Sequence, residues 1–189
     1  MNSRVMLISP AINKALREAR FDDGCSLDPA GLRAAGTAEP PAADRSFTSP
    51  TARCRETAEA LALDPASPPA PAGLAVGRWR GRTLAEVGAG EPESVAAWLA
   101  DPTAAPHGGE SVQELCTRVA RWLDDLADAS ARTVAVVEPE VVRAAAVHVL
   151  GAPGQAFWRI DVPPLTMTEL SGRMGRWNLR VGVPLGPRG

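Results

Sequence analysis

The segment Thr133-Val134-Ala135-Val136-Val137-Glu138-Pro139 constrains this chain more than any other. A β-branched run of this kind reads as a strand covered on both faces, the situation of a parallel sheet between helices. Glu138-Pro139 ends the run, and proline at the first helical position opens a helix predicted to reach Leu150 and close at Gly151. A strand, a sharp turn and a helix in that order direct the turn to the carboxyl edge of the sheet, where open α/β folds collect their ligands. Glu138 is therefore placed where a site should be, and the fold class is predicted to be α/β.

The remaining punctuation agrees with that rhythm. Val5 to Ile8 is a short apolar run stopped by Ser9-Pro10, a buried strand. Asp28-Pro29 offers an N-cap and proline, opening a helix through about Ala38. Arg45 to Thr48 reads as a second strand, and Ser49-Pro50 repeats the cap-and-proline signal before a helix that carries Ala52, Thr57, Ala60 and Leu61 inward. Pro65 to Gly73 has no apolar period and reads as a loop, as does Asp101 to Gly109, with weaker helical segments at Leu84 to Val87 and Pro92 to Leu99 between them. Ser111 and Glu114 form a capping box for the clearest helix, whose stripe is Val112, Leu115, Cys116, Val119, Trp122, Leu123 and Leu126. Ile160 to Val162, Leu165 to Leu170 and Trp177 to Val181 are predicted as terminal strands, with a turn starting at Ser171-Gly172 and a loose tail over about 182–189.

A chain of 189 residues suits one domain, 1–189, and an apolar share of 45% supplies a core. A net charge of −2 argues against a protein that binds nucleic acid by neutralising phosphates. The run Val5 to Ile8 is far short of the roughly 20 residues of a membrane helix, so a cytoplasmic protein that does not engage a membrane is expected. Cys25, Cys54 and Cys116 lack paired or metal-ligand spacing and read as reduced thiols, and no metal or cofactor is expected. Lys14 is the single lysine and tyrosine is absent, which removes most routes to Schiff-base chemistry and any tyrosine acid.

Five segments, in order, resemble the histidine phosphatase superfamily, the phosphoglycerate mutase-like proteins. They are Ser49-Pro50-Thr51-Ala52-Arg53-Cys54-Arg55-Glu56-Thr57-Ala58, then Gly77-Arg78-Trp79-Arg80-Gly81, then Gly108-Gly109-Glu110-Ser111. Val136-Val137-Glu138-Pro139 with Val141-Val142-Arg143-Ala144, and Phe157-Trp158-Arg159-Ile160-Asp161, complete the series. The resemblance spans nearly the whole chain and implies a three-layer αβα sandwich around a mostly parallel sheet. It also implies a site from which the chemistry has been removed. Family members carry Arg-His-Gly after the first strand, and that histidine attacks phosphorus; here the positions read Ser9-Pro10-Ala11. Proline offers neither a nucleophilic nitrogen nor a backbone donor. The family's second histidine aligns with Glu138, and its acid, often the proton donor, aligns near Gly73. The phosphate-binding arginine, matching Arg53, is kept.

Charge makes the same point without ancestry. A phosphate monoester carries roughly −1.5 to −2 near neutral pH, whereas Arg53 and Glu138 sum to zero. A carboxylate and a phosphate charge about 4 Å apart repel by about 4 kcal/mol at an effective dielectric of about 20. The expected protein is a degenerate, non-phosphatase member that binds a small anionic ligand or a protein partner, or serves a regulatory role. The alternatives are an enzyme of different chemistry using Glu138 as base and Arg53 as anchor on a non-phosphate anion, or a weak residual phosphatase.

The candidate ligand-binding set is Arg53, Glu138, Ser9, Asn13 and His107. Glu138 reads either as a carboxylate facing Arg53 and imitating the missing phosphate, or as a solvated helix-end carboxylate. As a general base it needs a raised pKa, which a helix N-terminus and Arg53 both oppose. Arg53 reads as a ligand contact or as a salt bridge at the sheet edge. His107 reads as a lid over the pocket mouth or as an exposed loop histidine, and neither it nor His148 sits at a family catalytic position. Ser9 as a replacement nucleophile lacks a nearby histidine.

Overall fold

The computed structural model describes residues 3–127, 131–173 and 176–188. Its strands and helices are β1 (Ser3–Ile8), α1 (Lys14–Arg17), α2 (Pro29–Gly36), β2 (Ala38–Glu39), β3 (Arg45–Thr48), α3 (Ala52–Ala60), α4 (Leu84–Gly90), α5 (Pro92–Ala100), α6 (Val112–Ala127), β4 (Arg132–Val136), α7 (Pro139–Leu150), β5 (Thr166–Arg173), β6 (Arg176–Pro184) and β7 (Gly186–Pro187). Five strands form the central sheet in the order β3-β4-β1-β5-β6. The β3–β4 and β4–β1 pairings are parallel, and β1–β5 and β5–β6 are antiparallel. Four strands therefore share one direction and β5 alone reverses it, so the sheet is mixed, with its parallel ladders on the β3 side.

Alternation along the strands builds the layers. Val5 and Leu7 of β1 and Ala135 of β4 face a core with α6 and α7, joined by Val119, Leu123, Val141, Ala145 and Phe157. Met6, Ile8, Val134 and Val136 point the opposite way, against Cys54, Ala58 and Leu61 on and just after α3. This is the αβα sandwich that the family resemblance implied, around a sheet whose pairings divide evenly between parallel and antiparallel. A separate aromatic cluster, Trp79, Val87 and Trp98 with Phe21 and Trp158, packs the α4–α5 region. No helix among the described residues is long and apolar enough to cross a membrane.

Several local expectations change. The helix opened by Asp28-Pro29 ends at Gly36, and Ala38 belongs to β2. On α3 the buried residues are Arg53, Cys54, Thr57 and Ala58, with Ala52 and Ala60 only partly covered. Ile160 to Val162 is not a strand; it follows a 3-10 turn, and Arg143 Nε donates to the Ile160 carbonyl at 2.8 Å. Ser171 and Gly172 lie inside β5, paired with Asn178 and Trp177. A Cβ on Gly172 would lie 2.2 Å from the Arg176 carbonyl oxygen, so this glycine serves close strand approach instead of a turn. The tail is tied down: β6 runs to Pro184, β7 pairs with β2, and Arg188 N–H donates to Thr37 O at 2.7 Å.

The capping box forms as read. Ser111 N–H donates to Glu114 Oε2 at 2.8 Å, and Glu114 N–H donates to Ser111 Oγ at 3.2 Å. It starts α6, whose buried stripe is Val112, Leu115, Val119, Trp122, Leu123 and Leu126. Ser111→Ala is expected to lower unfolding free energy by about 1 kcal/mol. A urea titration checks this, with a lower midpoint and an unchanged slope.

Candidate anion site at the carboxyl edge of the sheet

Parallel register brings three chain turns together. Ile8 of β1 and Thr48 of β3 both pair with Val136 of β4, so Ser9, Ser49 and Glu138 follow strand ends that lie side by side. Val137 N–H donates to Ile8 O and Ser49 N–H to Val136 O, each at 2.9 Å, which prolongs both ladders into the turns. Glu138 stands at the N-cap of α7 without capping it, because its carboxylate turns away from the helix amides.

That carboxylate meets Arg53. Arg53 Nε lies 3.0 Å from Glu138 Oε1 and 2.8 Å from Oε2, and Nη2 also donates to Oε2. Thr51 Oγ1 donates to Oε1 at 2.5 Å, and the Cys54 thiol approaches the same oxygen at 3.4 Å. Arg53 is 6% exposed and Glu138 2% exposed, so the pair is internal and the solvated reading of Glu138 does not hold. Thr51 precedes α3 in the N-cap position and makes no capping bond; its hydroxyl donates to Glu138. Ser49 Oγ donates to Pro71 O and lies 3.4 Å from Glu138 N–H, joining the loop before α3 to the segment that follows Pro65. Gly73 completes the enclosure, as a Cβ there would lie 2.8 Å from Glu138 Cγ.

Electrostatics follow burial and pairing. Burial works against the Arg53 charge, but the charge and hydrogen bonds of Glu138 outweigh it and hold the guanidinium above its ordinary pKa. Burial, then the Glu138 charge, raises the Cys54 thiol well above its usual value, so it stays protonated. Glu140, on the first turn of α7, is raised by burial and then by Glu138, and its Oε2 is buried without a partner.

The other predicted site residues are occupied elsewhere and make no hydrogen bond to the pair. Ser9 Oγ donates to Pro163 O at 2.5 Å and accepts from Thr166 N–H at 3.1 Å, pinning the end of β1 to the turn before β5. Asn13 caps α1 by accepting from Leu16 N–H at 3.0 Å, and its amide donates to Cys25 O at 3.2 Å. His107 is neither lid nor exposed residue: it is 1% exposed, with its ring 5.0 Å from that of Trp79. Its Nδ1 accepts from Gly109 N–H at 3.0 Å, and burial, then Arg78, lowers its pKa. Sequence reasoning missed the roles of Thr51 and Cys54, which lie inside the quoted α3 motif, and missed Glu140, signalled by the Glu138-Pro139-Glu140 spacing. Cavities of about 640 and 380 Å³ lie along α6, and neither is lined by Arg53 or Glu138.

The family model of the histidine phosphatase superfamily (branch 1) matches residues 14–182. The chain belongs to this superfamily. The matched stretch includes Arg53 and Glu138 and begins after Ser9-Pro10-Ala11. Among curated relatives, a glucosyl-3-phosphoglycerate phosphatase of Mycolicibacterium vanbaalenii is 29% identical over an alignment covering 57% of this chain and 60% of the relative. The aligned region thus spans about three-fifths of that relative's length. Among solved structures, a mycobacterial glucosyl-3-phosphoglycerate phosphatase in complex with VO3 superposes with a TM-score of 0.82 at 23% identity, over 96% of this chain and 98% of the other. A putative α-ribazole-5'-P phosphatase from Escherichia coli gives 0.83 at 20% identity, over 97% and 98%. These likenesses extend the fold over 96–97% of this chain, and within it Arg53 and Glu138 form a buried pair.

Two outcomes test the site. Removing one partner of a buried, hydrogen-bonded ion pair leaves an uncompensated charge, so Arg53→Met is expected to cost about 3–5 kcal/mol, much of it recovered in Arg53→Met/Glu138→Leu. Urea unfolding of the two variants measures this. Glu140 has a folded pKa above its unfolded value, so its ionisation opposes folding: stability from its protonated form is complete below the unfolded carboxyl pKa and is lost as pH rises through the folded one. Glu140→Gln is therefore expected to raise the urea midpoint at pH 8 and change it little at pH 4.

Proposed function

We propose that this chain is a catalytically degenerate histidine phosphatase in which the Glu138 carboxylate occupies the place of the phosphate group. The observation that carries this reading is the bonding of Glu138: it takes Nε and Nη2 of Arg53 and the hydroxyl of Thr51 onto its own oxygens while nearly fully buried. An oxyanion arriving at Arg53 would have to displace a carboxylate that is already neutralised and hydrogen-bonded. It would also meet that carboxylate's charge, a repulsion of about 4 kcal/mol for unit charges about 4 Å apart at an effective dielectric of about 20.

Nucleophilic chemistry lacks a carrier as well. Pro10 stands where the family resemblance places the attacking histidine, and Ser9 directs its hydroxyl to the Pro163 carbonyl. Around Gly73, where the resemblance places the family's acid, the sequence Pro71-Ala72-Gly73-Leu74-Ala75 offers no carboxylate. A base role for Glu138 is disfavoured because its lone pairs already accept from a guanidinium and a hydroxyl. The relatives are named as phosphatases, and phosphomonoester hydrolysis is the activity their names would suggest. The bonding of Glu138 argues against that activity here and leaves a binding or regulatory role, with a protein as partner or an anionic small molecule held away from Arg53.

The expected results are no phosphomonoester turnover above the uncatalysed rate by the purified protein, and thermal stabilisation by inorganic phosphate in Glu138→Ala but not in wild type. Robust hydrolysis that disappears in Arg53→Met would overturn the proposal.

A further inference from the structure

We propose that residues 69–73 form a strap latched by Arg118, and that this latch controls whether Arg53 and Glu138 can meet solvent or an incoming oxyanion. The inference rests on the filled-site reading above and adds the element that keeps the site shut. Arg118 lies on α6, outside the pair and outside every motif in the sequence. Its Nε and Nη2 donate to Oε1 and Oε2 of Glu110 at 2.9 and 2.8 Å. Its Nη1 donates to Ala70 O at 2.6 Å and Ala72 O at 2.9 Å, and Nη2 reaches Gly73 O at 3.3 Å. All five donors of one guanidinium are thereby spent on an anchoring carboxylate and three successive parts of a single segment.

Beyond Arg118, the segment is held by burial of Pro71, by Ala70 packed at the edge of the main core and by the Ser49 hydroxyl on the Pro71 carbonyl. Among the described residues, it contributes to no strand, and its own order amounts to a turn closed by Ala72 N–H to Pro69 O at 3.1 Å. Its underside bears on the site: Ser49 Oγ donates to the Pro71 carbonyl, and Gly73 lies against the Glu138 stem. A segment outside every helix and strand, with three of its carbonyls bonded by a single side chain, opens with a smaller free energy than the core strands around it. Displacing it uncovers Glu138 first, with Arg53 and Cys54 behind.

Cys54 is a built-in reporter, since it is fully buried and 3.4 Å from Glu138 Oε1. The experiment follows its reaction with N-ethylmaleimide in a Cys25→Ser/Cys116→Ala background, as a function of urea, with hydrogen exchange measured in parallel. Arg118→Met is expected to speed labelling at least tenfold at low urea, with a shallower urea dependence than global unfolding. Exchange at residues 69–76 should rise with it while the amides of β4 keep their protection. Gly73→Ala, which pushes the strap from beneath, should do the same with Arg118 intact, and serves if Arg118→Met folds poorly. The proposal is overturned if labelling in every variant carries the full urea dependence of global unfolding, or if β4 exchanges in step with the strap. Phosphatase turnover by wild type would remove the filled-site reading and leave this result untouched, so the two failures are separable.

Discussion

The Arg53–Glu138 ion pair is the interaction on which the arrangement at this sheet edge depends. Two charges removed from water are tolerated only when each satisfies the other and the remaining lone pairs find donors. Here the second condition is met by Thr51, whose hydroxyl donates to Glu138 from the start of α3, a helix without a side-chain cap. Glu138 likewise leaves the amides of α7 uncapped by its own side chain. Both helix starts are thus organised around the pair, and parallel register brings those starts together.

In the function proposed above, the same pair limits what the site can do. An arginine at the carboxyl edge of an αβα sheet is a ready anion receptor, and the family resemblance of the sequence makes Arg53 the counterpart of a phosphate-binding arginine. With Glu138 bonded across it, the local charge is balanced before any ligand arrives. An apolar pair of similar volume would often be as stable or more so. What the ion pair contributes beyond stability is a satisfied, nearly buried Arg53, with Gly73 against the stem of its partner Glu138.

Much of this was legible in the sequence. The run Thr133 to Val137, the turn Glu138-Pro139 and the capping box at Ser111 and Glu114 are strong local signals, and the structure follows them because local propensity and burial agree there. The facing of Arg53 and Glu138 was legible as one of two readings, and only the direction of the Glu138 side chain separates them. His107 could not be placed from its loop: a Pro- and Gly-rich surrounding says nothing of Trp79, which packs on it from more than twenty residues away in the chain. Ser171-Gly172 misled because glycine serves close approach as readily as it serves turns. Arg118 carries no periodic or motif signal, and its role exists only once the fold brings α6 alongside residues 69–73.

The most direct test of the central claim is a crystal structure of the wild-type protein grown from concentrated inorganic phosphate. The account predicts the Glu138 carboxylate on Arg53 and Thr51, with no phosphate between them. Phosphate seated on Arg53, with Glu138 swung away from it, would contradict the account.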